Sequence, residues 1–273
     1  MSRGGLAGGE ELSWQTLRRE GNAPTLFLHG FMGRGEDWLV LCENLTLPGP
    51  FLLPDLPGHG ETRISPGGDW TFPAVSRMLL DYLDRAYPHG KVALCGYSMG
   101  GRLALYLALT FPERFSRLCL ISASPGLAEA SERSRRRSSD EKLSRQLLEP
   151  PLTTFLKSWY AMPLFSDLAE HPGFSEMLAR RAENDPSALA KSLREMGTGR
   201  QPSLWRPLSA LKIPVLLVVG EKDAKFQAIA EEMSGAMEKA EMAVIADTGH
   251  NPVFEAPENL AGVLQVFFQP ASA

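Results

Sequence analysis

Cysteine is scarce in this chain: Cys42, Cys95 and Cys119 are the only three in 273 residues. Three scattered thiols cannot frame a disulfide-stapled fold, and they lack the paired spacing of a zinc site. Cys95 and Cys119 sit inside apolar runs, where a buried free thiol is expected. Long apolar segments are missing too. Every such run meets a charge, Gly or Pro before ~18 residues, so no membrane-spanning helix is expected. Neither sign of charge is in large excess. The 28 Lys+Arg and 32 Asp+Glu leave a formal net charge of −4, which argues against wholesale binding to nucleic acid or to an anionic membrane but leaves room for a local basic pocket. No internal repeat, Walker loop or dinucleotide fingerprint is present, and no His/Cys/Asp grouping has metal-ligand spacing. Neither a metal nor a cofactor is therefore expected. Residues 1–11 are Gly-rich and lack the apolar stretch of a secretory leader. The expected compartment is reducing and cytoplasmic.

What is present is the composition of a globular protein with a sizeable core, 44% hydrophobic and 22% charged. Short apolar runs at 25–29, 51–54, 91–96, 118–122, 215–220 and 242–246 alternate with helical patterns at 36–45, 73–87, 99–111, 225–239 and 257–268. Continuous apolar runs mark strands covered on both faces. The alternation predicts an α/β fold, a mostly parallel central sheet with helices on both sides. One interval breaks the rhythm. Residues 127–211 hold no convincing strand, only helical patterns at 152–161, 174–183 and 187–196, and are far longer than a crossover requires. They are read as a helical lid inserted into a core formed by 1–126 and 212–273. The Arg-rich run at 133–139 reads as a mobile loop tip or solvated charge cluster.

The most informative segment is Gly96-Tyr97-Ser98-Met99-Gly100 after the apolar run 91–95. This G-x-S-x-G pattern is a nucleophile elbow when a strand precedes it and a helix follows, and both are expected here. The two glycines let strand and helix approach closely. Residues His29-Gly30-Phe31 follow the first parallel strand, where this architecture supplies one backbone donor of an oxyanion hole; the second is the N–H after the nucleophile. Those donors are Phe31 and Met99. Acid and base should follow in the order Ser, Asp/Glu, His. The strand 215–220 ends in two candidate acids, Glu221 and Asp223. Asp223 is preferred because it lies further into the loop, with Glu221 as the fallback. His250, on the loop after the last strand, is the base. His29 and His59 read as braces of their loops, and His89 and His171, next to prolines, as solvated.

Several segments resemble the MenH family of menaquinone-pathway synthases. They are Gly96-Tyr-Ser-Met-Gly-Gly-Arg102, Asp55-Leu-Pro-Gly-His-Gly60, Gly220-Glu-Lys-Asp-Ala-Lys-Phe226, Pro125-Gly-Leu127, the Arg-rich stretch before Ser139-Asp140, Pro151-Leu152, Trp159-Tyr160 and Pro163-Leu-Phe165. The resemblance spans 25–268, lid included, and implies the α/β-hydrolase fold. It also implies elimination of pyruvate from a succinyl-enolpyruvyl-hydroxycyclohexene carboxylate, with no cofactor and no water consumed. Such a tricarboxylate needs arginines, which bind carboxylates in a fork. Arg102, on the first turn behind Ser98, fits that need. The resemblance adds Arg136 and Arg181, with Arg133, Arg137 and Arg180 as neighbours able to take the part. It adds Trp159 as a pocket wall, and Tyr97 as a possible hydrogen-bond donor to substrate. Either Ser98, deprotonated through His250 and Asp223, or His250 itself would remove the proton. The competing reading is a carboxylic-ester or carbon–carbon-bond hydrolase with the same triad, in which Ser98 forms an acyl-enzyme. A non-catalytic binding protein on this fold would usually lack a triad member, and none is missing.

Overall fold

A computed structural model describes residues 2–5, 11–17, 20–21, 23–65, 67–165 and 168–269. Part of the stretch read as leaderless, residues 1 and 6–10, lies outside the described residues. The strands are β1 (Ser2–Gly5), β2 (Glu11–Leu17), β3 (Thr25–Leu28), β4 (Phe51–Pro54), β5 (Val92–Tyr97), β6 (Phe115–Ile121), β7 (Val215–Gly220) and β8 (Ala240–Ile245). They form one sheet in the order β1-β2-β4-β3-β5-β6-β7-β8. From β4 onward every pair is parallel, while β2 runs antiparallel to both β1 and β4.

The period of two along each strand distributes the core over two layers. Leu26, Leu28, Leu94, Leu118 and Leu217 face one side. Phe27, Cys95, Cys119, Leu216 and Val218 face the other. Both layers are closed by helices: α1 (Leu39–Glu43), α2 (Phe72–Ala86) and α3 (Met99–Thr110) come first. Then follow α4 (Ala130–Leu147), α5 (Leu152–Tyr160), α6 (Phe174–Arg181), α7 (Pro186–Met196), α8 (Ala224–Ala236), α9 (Pro252–Glu255) and α10 (Pro257–Phe268). Leu79 and Leu83 of α2 and Leu103 and Leu107 of α3 cover the first face. Leu41 of α1 and Leu260 and Leu264 of α10 cover the second. All three cysteines are buried. Among the described residues no helix is long and apolar enough to cross a membrane.

Two differences from the sequence reading bear on the fold. Strands β1 and β2 were not foreseen. In β2 only Leu12 and Trp14 carry the buried apolar signal, and Trp14 is held by a stack on Tyr82 of α2, ring centroids 3.8 Å apart. The Arg-rich run 133–139 is not a loop tip, although Ser134, Arg135, Ser138 and Ser139 are solvated as expected. It lies inside α4, whose buried residues are Asp140, Ser144 and Leu147. This helix has no apolar stripe to read. Same-face pairs, Arg136 with Asp140 at 2.7 Å and Arg145 with Glu141 at 3.5 Å, contribute only ~0.2–0.5 kcal/mol each. Tertiary bonds anchor it instead: Arg137 donates to the Gly199 carbonyl at 3.2 Å, and Gly199 N–H donates to Asp140 at 3.2 Å.

Helices α4 to α7 lie between β6 and β7 and carry their own apolar cluster, including Leu147, Leu152, Phe155, Leu156, Tyr160, Met177, Leu189 and Leu193. A further member lies outside these helices. Met32, on the loop after β3, is fully buried in this cluster.

Candidate active site

Ser98 caps the N-terminus of α3 with φ 50° and ψ −108°, a conformation that stores ~1–3 kcal/mol for a residue with a Cβ. The turn is tied on both sides: Ser98 N–H donates to the Ile121 carbonyl at 2.9 Å and Arg102 N–H to the Ser98 carbonyl at 3.0 Å. Glycine is required at its base, because a Cβ on Gly100 would fall on the carbonyls of Leu28 and His29. Met99, as the first residue of α3, has an N–H with no acceptor inside the helix and directed past its N-terminus.

The loop after β8 brings His250 over the serine. Its Nδ1 lies 2.7 Å from Asp223 Oδ2 and its Nε2 3.2 Å from Ser98 Oγ. With Nδ1–H donated to the carboxylate, Nε2 is the lone pair facing the hydroxyl. Asp223 is the N-cap of α8, where Oδ1 accepts from Phe226 N–H at 3.3 Å, so its oxygens divide between cap and imidazole. Tyr97, Phe165 and Phe226 surround the ring, with centroids 5.7, 5.7 and 4.5 Å away.

Glu221 has another task. Its exposed carboxylate accepts from Asp247 N–H at 2.9 Å, at the turn where Asp247 holds φ 58°. Asp223→Asn is therefore expected to lower kcat by about 10⁴-fold, and Glu221→Gln by less than about tenfold. Steady-state rates of the two variants check this, and the reverse ranking would transfer the acid role to Glu221. Sequence reasoning missed Glu255. Its carboxylate accepts from Gly249 N–H at 2.7 Å and Asn251 N–H at 2.8 Å, bracketing His250 on the backbone. Glu255 lies on a short helix, α9, with no motif of its own.

On the opposite wall, His29 accepts from Leu56 N–H through Nε2 at 2.9 Å and donates from Nδ1 to the Gly30 carbonyl at 2.8 Å. Burial pulls its pKa below the usual value, against the charge of Asp55, which leaves a neutral brace. His59 is a second buried, neutral ring, its Nδ1 3.1 Å from the Pro57 carbonyl. His171 is half-buried, its ring packing on Phe254 at 4.4 Å and its Nδ1 accepting from Gly173 N–H at 3.1 Å.

A cavity of about 530 Å³ opens beside Ser98. Phe31, Tyr97, Trp159, Phe165 and His171 line it, together with Arg180 and Arg181. Burial pushes the Tyr97 phenol well above its usual pKa and keeps it a neutral donor. Arg181 differs from its expected role as a free carboxylate partner. Its fork is already filled by Asp37, with Nη1–Oδ1 at 2.9 Å and Nη2–Oδ2 at 2.8 Å. Burial works against the Arg181 cation, but Asp37 and Tyr160 more than offset it and raise its pKa. Among the described residues, the adjacent Arg180 pairs with exposed Glu176 at 2.8 Å.

Arg102 and Arg136 do not line this cavity. Arg102 donates to two neutral acceptors, the Met196 carbonyl at 2.9 Å and Gln201 Oε1 at 3.3 Å. Burial, then the nearby positive charge of Arg136, pulls its guanidinium below the usual value, with Asp140 acting in the opposite sense. An anion placed between these two arginines would relieve that repulsion.

The matching family model is the alpha/beta hydrolase family, over residues 25–263, and the chain belongs to that family of enzymes. The finer relationship is as clear. The chain is 35% identical over 240 residues to the 2-succinyl-6-hydroxy-2,4-cyclohexadiene-1-carboxylate (SHCHC) synthase of Enterobacter sp. (strain 638), covering 88% of this chain and 89% of that one. The solved structure of MenH from S. aureus superposes with a TM-score of 0.89 at 32% identity, covering 93% of this chain and 97% of that one. The chloroplastic protein PHYLLO of Arabidopsis thaliana is 34% identical over 258 residues, covering 89% of this chain, which spans only 15% of PHYLLO's length. The chain is a member of the SHCHC synthase (MenH) family.

Proposed function

We propose that this enzyme eliminates pyruvate from 2-succinyl-5-enolpyruvyl-6-hydroxy-3-cyclohexene-1-carboxylate, giving SHCHC in menaquinone or phylloquinone biosynthesis. The observation that carries the reading is identity to a named SHCHC synthase across nearly the whole of both chains, core and lid together. The site residues supply the chemistry. Loss of the ring proton next to the succinyl ketone forms one double bond, shifts the existing one, and breaks the carbon–oxygen bond to the enolpyruvyl group. Pyruvate leaves as its enol form, and the abstracted proton ends on it, so the reaction balances without water or an electron carrier.

Ser98 is the base in this reading. Its Oγ takes the carbon-bound proton as its own passes to His250 Nε2, 3.2 Å away, and Asp223 holds the imidazole and stabilises its cation. The negative charge that develops on the ketone oxygen is received by the Phe31 and Met99 N–H groups, where fixed donors act most strongly. Trp159 walls the ring and neutral Tyr97 donates a hydrogen bond. Just beyond the lining of the cavity, Arg102, one turn from Ser98, and Arg136, which binds Asp140 through Nε alone, hold substrate carboxylates that reach past it. Arg180 takes the place first given to Arg181, whose charge is spent on Asp37. Residues 127–211 act as the lid, and the enzyme works in the cytoplasm on this small tricarboxylate. Supplying the enolpyruvyl substrate and following pyruvate release with a coupled dehydrogenase tests the proposal. Pyruvate should appear in step with the conjugated diene; hydrolysis of simple esters with no pyruvate would favour the acyl-enzyme alternative.

A further inference from the structure

The lid is bonded to the loop that carries the Phe31 N–H more extensively than a cover needs to be. Met32, the next residue, has φ 62°, in the left-handed region disfavoured for a side chain of this size. Two lid contacts hold it there. Its side chain is fully buried in the lid's apolar cluster, and its carbonyl accepts from Asn184 Nδ2 at 3.1 Å. Further along the loop, Arg34 reaches the lid, donating to the Arg180 carbonyl at 2.8 Å and pairing with Glu183 at 2.8 Å. The lid reaches back through the Arg181–Asp37 fork, and Asp37 closes the turn by accepting Arg34 N–H at 3.0 Å. Asn184 also binds the neighbouring loop, its Oδ1 accepting from Gly60 N–H at 2.9 Å.

We infer that residues 180–184 of the lid position the Phe31 peptide, so that Asn184 and Arg181 are positioning residues for the oxyanion hole. The inference rests on the reading of Phe31 as an oxyanion donor. The physical ground is that a strained φ persists only where its surroundings over-determine it. Releasing the Met32 carbonyl and side chain frees the loop to relax, and the Phe31 N–H turns with it. A donor misaligned by such a relaxation loses part of the ~10²–10³-fold that one oxyanion donor contributes.

Asn184 permits a clean test, because its amide has separable halves. Asn184→Asp keeps the acceptor for Gly60 N–H and the side-chain shape, but removes the donor shared by the Met32 carbonyl and the Arg181 carbonyl, each at 3.1 Å. The expected result is a fall in kcat of about 10- to 100-fold with KM changed less than threefold, in a protein that still folds but melts lower because a buried carboxylate faces two carbonyls. A second readout needs no substrate: in protein labelled with ¹⁵N-phenylalanine, the Phe31 amide signal, assigned through Phe31→Leu, should move, while those of Phe115 and Phe267 stay. Unchanged kcat and an unmoved Phe31 signal would overturn the inference. A moved Phe31 signal in a protein whose wild type releases no pyruvate would leave the lid's control of the loop standing and sink the functional reading instead. A matching loss in Asn184→Ala and Asn184→Asp, with the melting temperature lowered equally and the Phe31 signal fixed, would assign Asn184 a purely structural role.

Discussion

Ser98→Ala is expected to lower turnover on the enolpyruvyl substrate by at least about 10⁴-fold while leaving the melting temperature nearly unchanged. The size follows from the serine's position at the head of a relay in which removal of one member disables the others. His250→Ala should match it, and the double variant should lose little more, since the groups act as a unit. The stability expectation follows from the elbow. Alanine keeps the φ 50° strain and loses only the bond to His250 Nε2 at 3.2 Å, on a half-buried side chain. Residual activity within about tenfold of wild type in a Ser98→Ala protein would remove the serine from the proton path and leave His250 as the direct base.

The second large effect is expected at Arg102. Truncating one partner of a desolvated charge pair costs ~2–5 kcal/mol, or roughly 30- to 5,000-fold in kcat/KM. Among the described residues the guanidinium donates to the neutral Met196 carbonyl and Gln201 side chain, and Arg136 destabilises its charge. It is therefore available to an anion in a way that Arg181, locked on Asp37, is not. Arg102→Ala should lose kcat/KM on the tricarboxylate steeply, and Arg102→Lys should recover part, because lysine keeps the charge but not the fork. Kinetics on the tricarboxylate beside a small neutral ester decides the matter. Equal loss on both, with a lowered melting temperature, would make Arg102 a structural tie between α3 and the end of α7.

What the sequence could convey depended on whether a feature has a local signature. The parallel strands are legible because burial on both faces leaves unbroken apolar runs, as in Val215–Gly220, all six residues of which are buried. The elbow is legible because its geometry admits only glycine at defined positions. Asp223 is preferred to Glu221 in the sequence for lying further into the loop, and only the three-dimensional contacts show its place at the start of a helix, with the cap and the imidazole sharing its two oxygens. The features that escaped are those made by distant residues. Strand β2 shows two buried apolar residues, and α4 is held by polar bonds to another segment, so neither has a period to detect. Asp37 and Arg181 lie 144 positions apart, and nothing near either one marks the pairing. Glu255 and Asn184 act through backbone groups, whose partners no side-chain pattern reveals.

The claim at the centre of this account is that Ser98 moves a proton and is never acylated. A single-turnover reaction of the wild-type enzyme with the enolpyruvyl substrate, quenched in acid and read by intact mass alongside pyruvate, tests it most directly. The account predicts about one equivalent of pyruvate per active site while the protein mass stays that of the unmodified chain at every time point. A transient adduct on Ser98 that forms and decays at rates matching product appearance would contradict it, and would return the site to covalent acyl chemistry.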